Sequence, residues 1–190
     1  MSSTRQIILG PTLETERLIL RPFDNKDFDA FAAMFGNEQD MEFLGGAVHR
    51  ATAWRAFASN VGSWVLRGHG MFSVIEKSTG TWIGRIGPIR PECWPGTEVG
   101  WGLIHQAWGK GYATEAATAC IDWAFNHLGW SDVIHCIDEQ NVNSRKVAQR
   151  LGSRLLRANV SMPPPYEDDK QVSIWGQSCK EWRARRRQDV

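Results

Sequence analysis

Two neighbouring features of the chain could do chemistry. The first is Glu98, a carboxylate at the head of the apolar run Glu98-Val99-Gly100-Trp101-Gly102-Leu103-Ile104. The second follows at once, in Gln106-Ala107-Trp108-Gly109-Lys110-Gly111-Tyr112-Ala113-Thr114. There a strand pattern passes into a helix pattern through glycines at both ends of one tripeptide. Such a turn leaves backbone N–H groups unpaired at a helix N-terminus, where they can hold a diphosphate. Glycine at 109 and 111 keeps Cβ atoms out of its path. A GxG spacing alone says little, since at ~7% glycine about one is expected by chance in a chain of this length. A tight turn before a helix is its ordinary explanation. The sequence is not a Walker loop, because no Gly-Lys-Thr/Ser follows a four-residue spacer. Nor is it the dinucleotide fingerprint, since Thr114 stands where the third glycine belongs.

The elements that must position these residues follow from periodicity. Residues 16–23 alternate, with Leu18, Leu20 and Pro22 on one side, as a strand does. Asp24 caps a helix carrying Phe28, Phe31, Ala32 and Phe35. Trp54, Phe57, Ala58, Val61 and Val65 mark a second helix, stopped by Gly68 and Gly70. Residues 71–76 and 82–89 read as strands joined by a turn at 77–80, and residues 97–104 as the next strand. Ala113, Ala116, Ala117, Cys120, Ile121, Ala124, Phe125 and Leu128 then match an amphipathic helix without a miss, and Gly129 ends it. A strand at 132–138, a short helix at 141–151 closed by Gly152, and strands at 153–162 and 171–177 complete the chain. The last two are separated by Pro163-Pro164-Pro165.

Composition narrows the function classes. The chain has 190 residues, 42% hydrophobic and 23% charged, which suits one globular domain with a real core. A net charge of +1 gives no reason to expect nucleic acid or an anionic membrane as a partner. The four cysteines form no CxxC pair, so neither a zinc site nor a disulfide framework is expected. No run of eighteen apolar residues occurs and the polar start MSSTRQ lacks a signal-peptide pattern, so the cytoplasm is the expected location. Residues 179–190 read as a solvated basic tail, and a nucleic-acid contact there is the alternative.

The pattern Q-x-x-G-x-G with Tyr-Ala-Thr-Glu-Ala behind it resembles the acyl-CoA loop of the GNAT superfamily of N-acetyltransferases. Three further segments agree, in the order that superfamily has them. Leu13-Glu14-Thr15-Glu16-Arg17-Leu18-Ile19-Leu20-Arg21-Pro22 resembles the opening strand of the ribosomal-protein N-terminal alanine/serine acetyltransferase branch. Glu98-Val99-Gly100-Trp101 is similar to the E-[LIV]-G-[YW] strand, and Asn141-Val142-Asn143-Ser144 with Leu151-Gly152 resembles the N-x-x-S…L-G helix. The resemblance spans about residues 13–177. It implies a single α/β (α+β) GNAT-like domain at 13–178, after an N-terminal extension at 1–12. Its twisted sheet would be mixed, mostly antiparallel and six- to seven-stranded, flanked by about four helices and splayed at its central strands.

The same resemblance implies acetyl-CoA as co-substrate, an amine acceptor (a protein N-terminus or a small molecule) and no metal. Homodimers are common in this fold, though no residue here proves one. The N–H groups of Gly109, Gly111, Tyr112 and Ala113 would meet the diphosphate, with Gln106, Lys110 and Thr114 beside them. Leu103 and Ile104 would meet the pantetheine arm, and one of their N–H groups would polarise the thioester. Asn141 would approach that arm from the following helix. Glu98 is the candidate general base, its pKa raised if apolar tryptophans such as Trp101 surround it; an ion-paired surface glutamate is the alternative. Many family members place a tyrosine four residues after the N-x-x-S serine as general acid. Ala148 stands there, which leaves Ser144 as the candidate, with helix capping or packing as its other explanation. Ser153 replaces the usual phenylalanine after Leu-Gly, a change expected to loosen local packing. Trp54, Trp64, Trp94 and the proline loop are expected to line the acceptor groove. A non-catalytic acyl-CoA-binding or sensing module on the same fold is the competing function.

Overall fold

A computed structural model describes residues 9–164 and 171–187 of the chain. They build one mixed sheet of eight strands in the order β1-β2-β3-β4-β5-β6-β8-β7. The strands are β1 (Leu13–Glu14), β2 (Leu18–Pro22), β3 (Phe72–Glu76), β4 (Trp82–Ile89), β5 (Glu98–Leu103), β6 (Asp132–Asp138), β7 (Arg154–Val160) and β8 (Val172–Ser178). Every neighbouring pair is antiparallel except β5 and β6, whose parallel pairing has the single register Glu98↔Ile134. The helices are α1 (Phe28–Phe35), α2 (Glu38–Met41), α3 (Arg50–Arg67), α4 (Tyr112–His127), α5 (Val142–Arg150) and α6 (Cys179–Arg186).

Three elements exceed the sequence expectation. β1 is two residues long and α2 is a single turn capped by Asn37, too short for any hydrophobic period to show. The third is α6, which occupies residues read as a solvated tail. Ser178 and Glu181 form a capping box at its start, and its Trp182 is buried, with Nε1 donating to Asp122 of α4 at 2.7 Å. One tryptophan turns a basic segment into a docked helix. Pro165 and residues 1–8 and 188–190 lie outside the described residues.

Alternation divides the core between the two sheet faces. Phe72, Val74, Val99 and Leu103 pack with α4, whose small side chains Ala116, Ala117, Cys120 and Ala124 let it lie close to the strands. Phe31, Met34, Phe35, Phe57 and Met71 form the other cluster, under α1 and α3. α1 is tied to the sheet by a buried ion pair. Arg21 Nη1 and Nη2 each donate to Asp27 at 2.7 Å, and Ser73 Oγ donates to the same carboxylate at 2.7 Å. Burial pushes the Asp27 pKa up, but these donors outweigh it and hold the carboxyl below its usual range.

Candidate active site

Glu98 stands where β5 and β6 part. It is only 5% exposed, and its two oxygens are already engaged. Trp94 Nε1 donates to Oε2 at 2.6 Å, and the Cys136 backbone N–H donates to Oε1 at 3.2 Å. Burial raises the Glu98 pKa, opposed in part by hydrogen bonds from Cys136 and Trp94 and by the Arg85 charge. The next residues on its face of β5 are Gly100 and Gly102, so no Cβ rises from the strand there. A Cβ at Gly100 would meet Met71 Cε at 3.1 Å, and one at Gly102 would meet Leu44 Cδ1 at 3.0 Å.

The ladder fixes which backbone groups of β5 are committed. Ile104 N–H donates to the Ile83 carbonyl of β4 at 3.0 Å, with Leu103 registered on Gly84. Residues 98, 100, 102 and 104 therefore bond towards β4, while 99, 101 and 103 point their N–H and C=O groups into the opening beside β6. Of the two residues expected to offer an N–H, Leu103 has it facing the opening and Ile104 does not. The Leu103 carbonyl accepts from Trp108 Nε1 at 2.7 Å, which fixes the strand end to the following turn.

That turn reaches α4 through two left-handed glycines, Gly109 at φ 75° and Gly111 at φ 83°. A Cβ at Gly109 would meet nothing within 4 Å, so backbone conformation and not crowding demands glycine there. Gly111 is the N-cap of α4 and offers no side chain, so the first N–H groups of a sixteen-residue helix have no capping partner. Among the described residues, the N–H groups of residues 109–113 make no hydrogen bond of ordinary length and angle to a protein acceptor. Gln106 lies exposed in the 3-10 turn before the loop, Lys110 is exposed between the two glycines, and Thr114 is in the first turn of α4.

Arg17 clamps the loop from outside. Its Nε donates to Glu115 Oε2 at 2.7 Å, its Nη1 to the Lys110 carbonyl at 2.9 Å, and its guanidinium lies 4.6 Å from the centre of the Tyr112 ring. Thr15 Oγ1 also donates to Glu115, at 2.5 Å, and Tyr112 hydroxyl donates to Glu76. The sequence held the signal for this clamp in Thr15-Glu16-Arg17 and Tyr-Ala-Thr-Glu-Ala, but not that the two segments meet.

Known proteins of similar sequence and fold narrow what this arrangement is for. The family profile for the acetyltransferase (GNAT) domain matches residues 17–154. The chain belongs to the GNAT acetyltransferase family. An acetyltransferase from Agrobacterium tumefaciens str. C58 superposes with a TM-score of 0.77 at 32% identity, covering 93% of this chain and 98% of that one. Protein YkkB of Bacillus subtilis (strain 168) is 29% identical over 143 residues, 74% of this chain and 83% of its own length. The FsC-acetyl coenzyme A-N(2)-transacetylase of Aspergillus fumigatus is 27% identical over 186 residues, covering 85% of this chain and 74% of that protein. The GNAT assignment makes this chain an acyltransferase, and the fold implies use of acetyl-CoA.

The remaining candidate residues sit on α5 or at its N-cap. Asn141 is the N-cap of α5, with Oδ1 accepting from Ser144 N–H at 3.0 Å. Ser144 Oγ accepts from Trp101 Nε1 at 3.1 Å, which ties α5 to the β5 side of the opening and leaves the hydroxyl proton available. Ala148 is fully buried against Ile137 and Trp175, with Trp101 packed beside them. Ser153 does not loosen its surroundings. It is 6% exposed, 3.0 Å from His135 Nε2, and accepts from Gln177 Nε2 at 3.0 Å, so a hydrogen-bonded hydroxyl fills the place. Of the tryptophans expected around the acceptor, Trp94 reaches Glu98. Trp64 is 2% exposed in the core and donates to the Met71 carbonyl, and Trp54 packs edge-on to Phe28 on the outer side of α3.

Proposed function

We propose that this protein moves the acetyl group of acetyl-CoA to a primary amine by direct attack within a ternary complex. The observation that carries the reading is Glu98, a buried carboxylate of raised pKa that accepts from the Trp94 indole and the Cys136 backbone at the mouth of the opening. The acceptor nitrogen is supported by the Aspergillus relative, whose name specifies transfer to N(2).

Acetyl-CoA supplies the activated acyl group and, in its sulfur, the leaving group. The N–H groups of residues 109–113, at the positive end of α4, fit its diphosphate, since nothing in the described protein competes for them. Glu98 accepts a proton from the incoming ammonium, directly or through a water, and so frees the nitrogen lone pair. An α-amine, with a pKa of ~8, asks less of such a base than a lysine at ~10. The Leu103 N–H donates to the oxygen on which charge builds as the C–N bond forms. When the C–S bond breaks, Ser144 Oγ gives its proton to the thiolate and is reprotonated through water by the second proton leaving the adduct nitrogen, while Glu98 returns the first to solvent.

Neither Cys136 nor Cys120 offers a covalent detour. Cys136 lies beside Glu98, but burial and the Glu98 charge push its pKa far above the neutral range, and burial alone does the same for Cys120. Direct attack needs neither.

The test is calorimetric titration with acetyl-CoA, then turnover against a panel of N-terminal peptides, polyamines and small aromatic amines. Micromolar uptake with acetylation of at least one amine class is expected. No uptake at millimolar acetyl-CoA overturns the assignment.

A further inference from the structure

Past Glu98 and Ile134 the parallel ladder stops, and both groups of its next rung are taken by side chains. Ile134 N–H donates to the Thr97 carbonyl at 2.9 Å; in a continued ladder Cys136 N–H would donate to the Val99 carbonyl. Instead Cys136 N–H goes to Glu98, and the Val99 carbonyl accepts from His135 Nδ1 at 2.7 Å. A carbonyl can only accept, so Nδ1 carries the imidazole proton and Nε2 is an acceptor. Ser153 Oγ, 3.0 Å from Nε2, therefore donates to the ring. Gln177 Nε2 supplies Ser153 Oγ at 3.0 Å and is anchored to the Leu151 carbonyl at 2.8 Å. Gln177 Nε2 spends both of its hydrogens and Ser153 and His135 one each, so the bonds run in one direction from Gln177 to the Val99 carbonyl. His135 is 1% exposed, with its ring 4.8 Å from that of Trp101.

We propose that His135, oriented by Ser153 and Gln177, is a positioning residue that holds the β5–β6 fork open by capping the Val99 carbonyl. This rests on the proposed function, in which the fork receives the acyl end of acetyl-CoA. Without the imidazole, the bare carbonyl competes with Glu98 for Cys136 N–H. The ladder can then close by one rung, which disturbs the Glu98 carboxylate and narrows the space before Leu103 N–H. Burial lowers the His135 pKa to about 4, so the neutral ring that this role requires persists around neutral pH.

His135→Leu removes the cap, His135→Asn keeps an amide donor near the place of Nδ1, and Ser153→Ala removes only the orienting hydroxyl. Affinities for acetyl-CoA and for adenosine 3′,5′-bisphosphate, which lacks the pantetheine arm, are measured by calorimetry alongside Tm. His135→Leu is expected to weaken acetyl-CoA about tenfold, the scale of one lost hydrogen bond, with the bisphosphate within twofold. His135→Asn is expected to recover most of that loss, and Ser153→Ala to cost about threefold. Equal weakening of both ligands, unchanged acetyl-CoA affinity, or no recovery in His135→Asn overturns the proposal. Should His135→Leu fail to fold, Ser153→Ala decides by the same two affinities. Absence of acetyl-CoA uptake by the unmodified protein overturns the functional reading itself, whereas uptake indifferent to these variants overturns this inference alone.

Discussion

Asp27 and Glu98 are buried to nearly the same depth, 4% and 5% exposed, yet the protein holds them in opposite ways. Asp27 faces a cation: two nitrogens of Arg21 and the hydroxyl of Ser73 keep it ionised below its usual pKa. Glu98 faces an indole N–H and a backbone N–H, with the Arg85 charge only the smallest influence on it, and burial wins. A bound counter-charge makes a carboxylate a fixed anchor. Neutral donors hold it in place while leaving its proton affinity high, as a base requires.

The sharpest break in this comparison is exchange of each carboxylate for its amide. Glu98→Gln keeps the shape and the acceptor oxygen but cannot take a proton. It is expected to lower kcat about a thousandfold, within the range for loss of a general base. Its Tm should fall by no more than a few degrees, since the amide leaves one of the two donors to Glu98 unmatched, and acetyl-CoA affinity should stay within twofold. A variant with unaltered turnover removes Glu98 from the chemistry. Asp27→Asn should do the reverse. Leaving Arg21 buried without its partner costs about 3 kcal/mol, a fall in Tm of about 10 °C for a chain of this size, while kcat per folded molecule stays near that of the unmodified protein.

The pH dependence of stability separates the pair by sign. Asp27 is depressed in the fold, so its contribution is present above the unfolded carboxyl value of about 4 and is lost as pH falls through its lower folded value. Glu98 is raised, so its protonated form favours folding. Its contribution is full below about 4 and disappears as pH climbs through its folded value. Denaturant titrations across pH 2–8 should therefore lose the acid slope in Asp27→Asn and the opposing slope above about pH 4 in Glu98→Gln. The same slopes in both variants would show the two sites to be electrostatically alike.

How much of this was legible in the sequence depended on the range of the contacts involved. The glycine loop and α4 are local: eight apolar positions at helical spacing and two left-handed glycines suffice to fix them. The fork came from resemblance, since nothing in the alternation of residues 97–104 says that β6 leaves after one register pair. Side-chain alternation also does not reveal which residues bond to β4, and so it leaves Leu103 and Ile104 as alternatives, of which Ile104 is bonded to Ile83. The roles of His135, Arg17 and Glu115 are not legible in the sequence because their partners are distant in it. A histidine in a strand and a Thr-Glu-Arg segment carry no mark of the carbonyl or the helix they will meet. Trp182 shows the same limit, since its burial depends on Asp122 of a remote helix.

The finest test leaves both carboxylates in place and alters a single donor. Trp94 Nε1 donates to Glu98 at 2.6 Å and stabilises the ionised form, which pulls the pKa down against the effect of burial. Trp94→Phe removes that donor while keeping most of the aromatic bulk, so the Glu98 pKa should rise further. The acid limb of the kcat profile should then move to higher pH. On that acid limb a smaller fraction of the enzyme holds the base ionised and turnover should fall, and on the alkaline side of the limb the difference should vanish. A loss that persists equally at all pH values assigns Trp94 to acceptor packing. A shift of the limb to lower pH contradicts the account of Glu98 as a carboxylate whose basicity is set by burial against neutral donors.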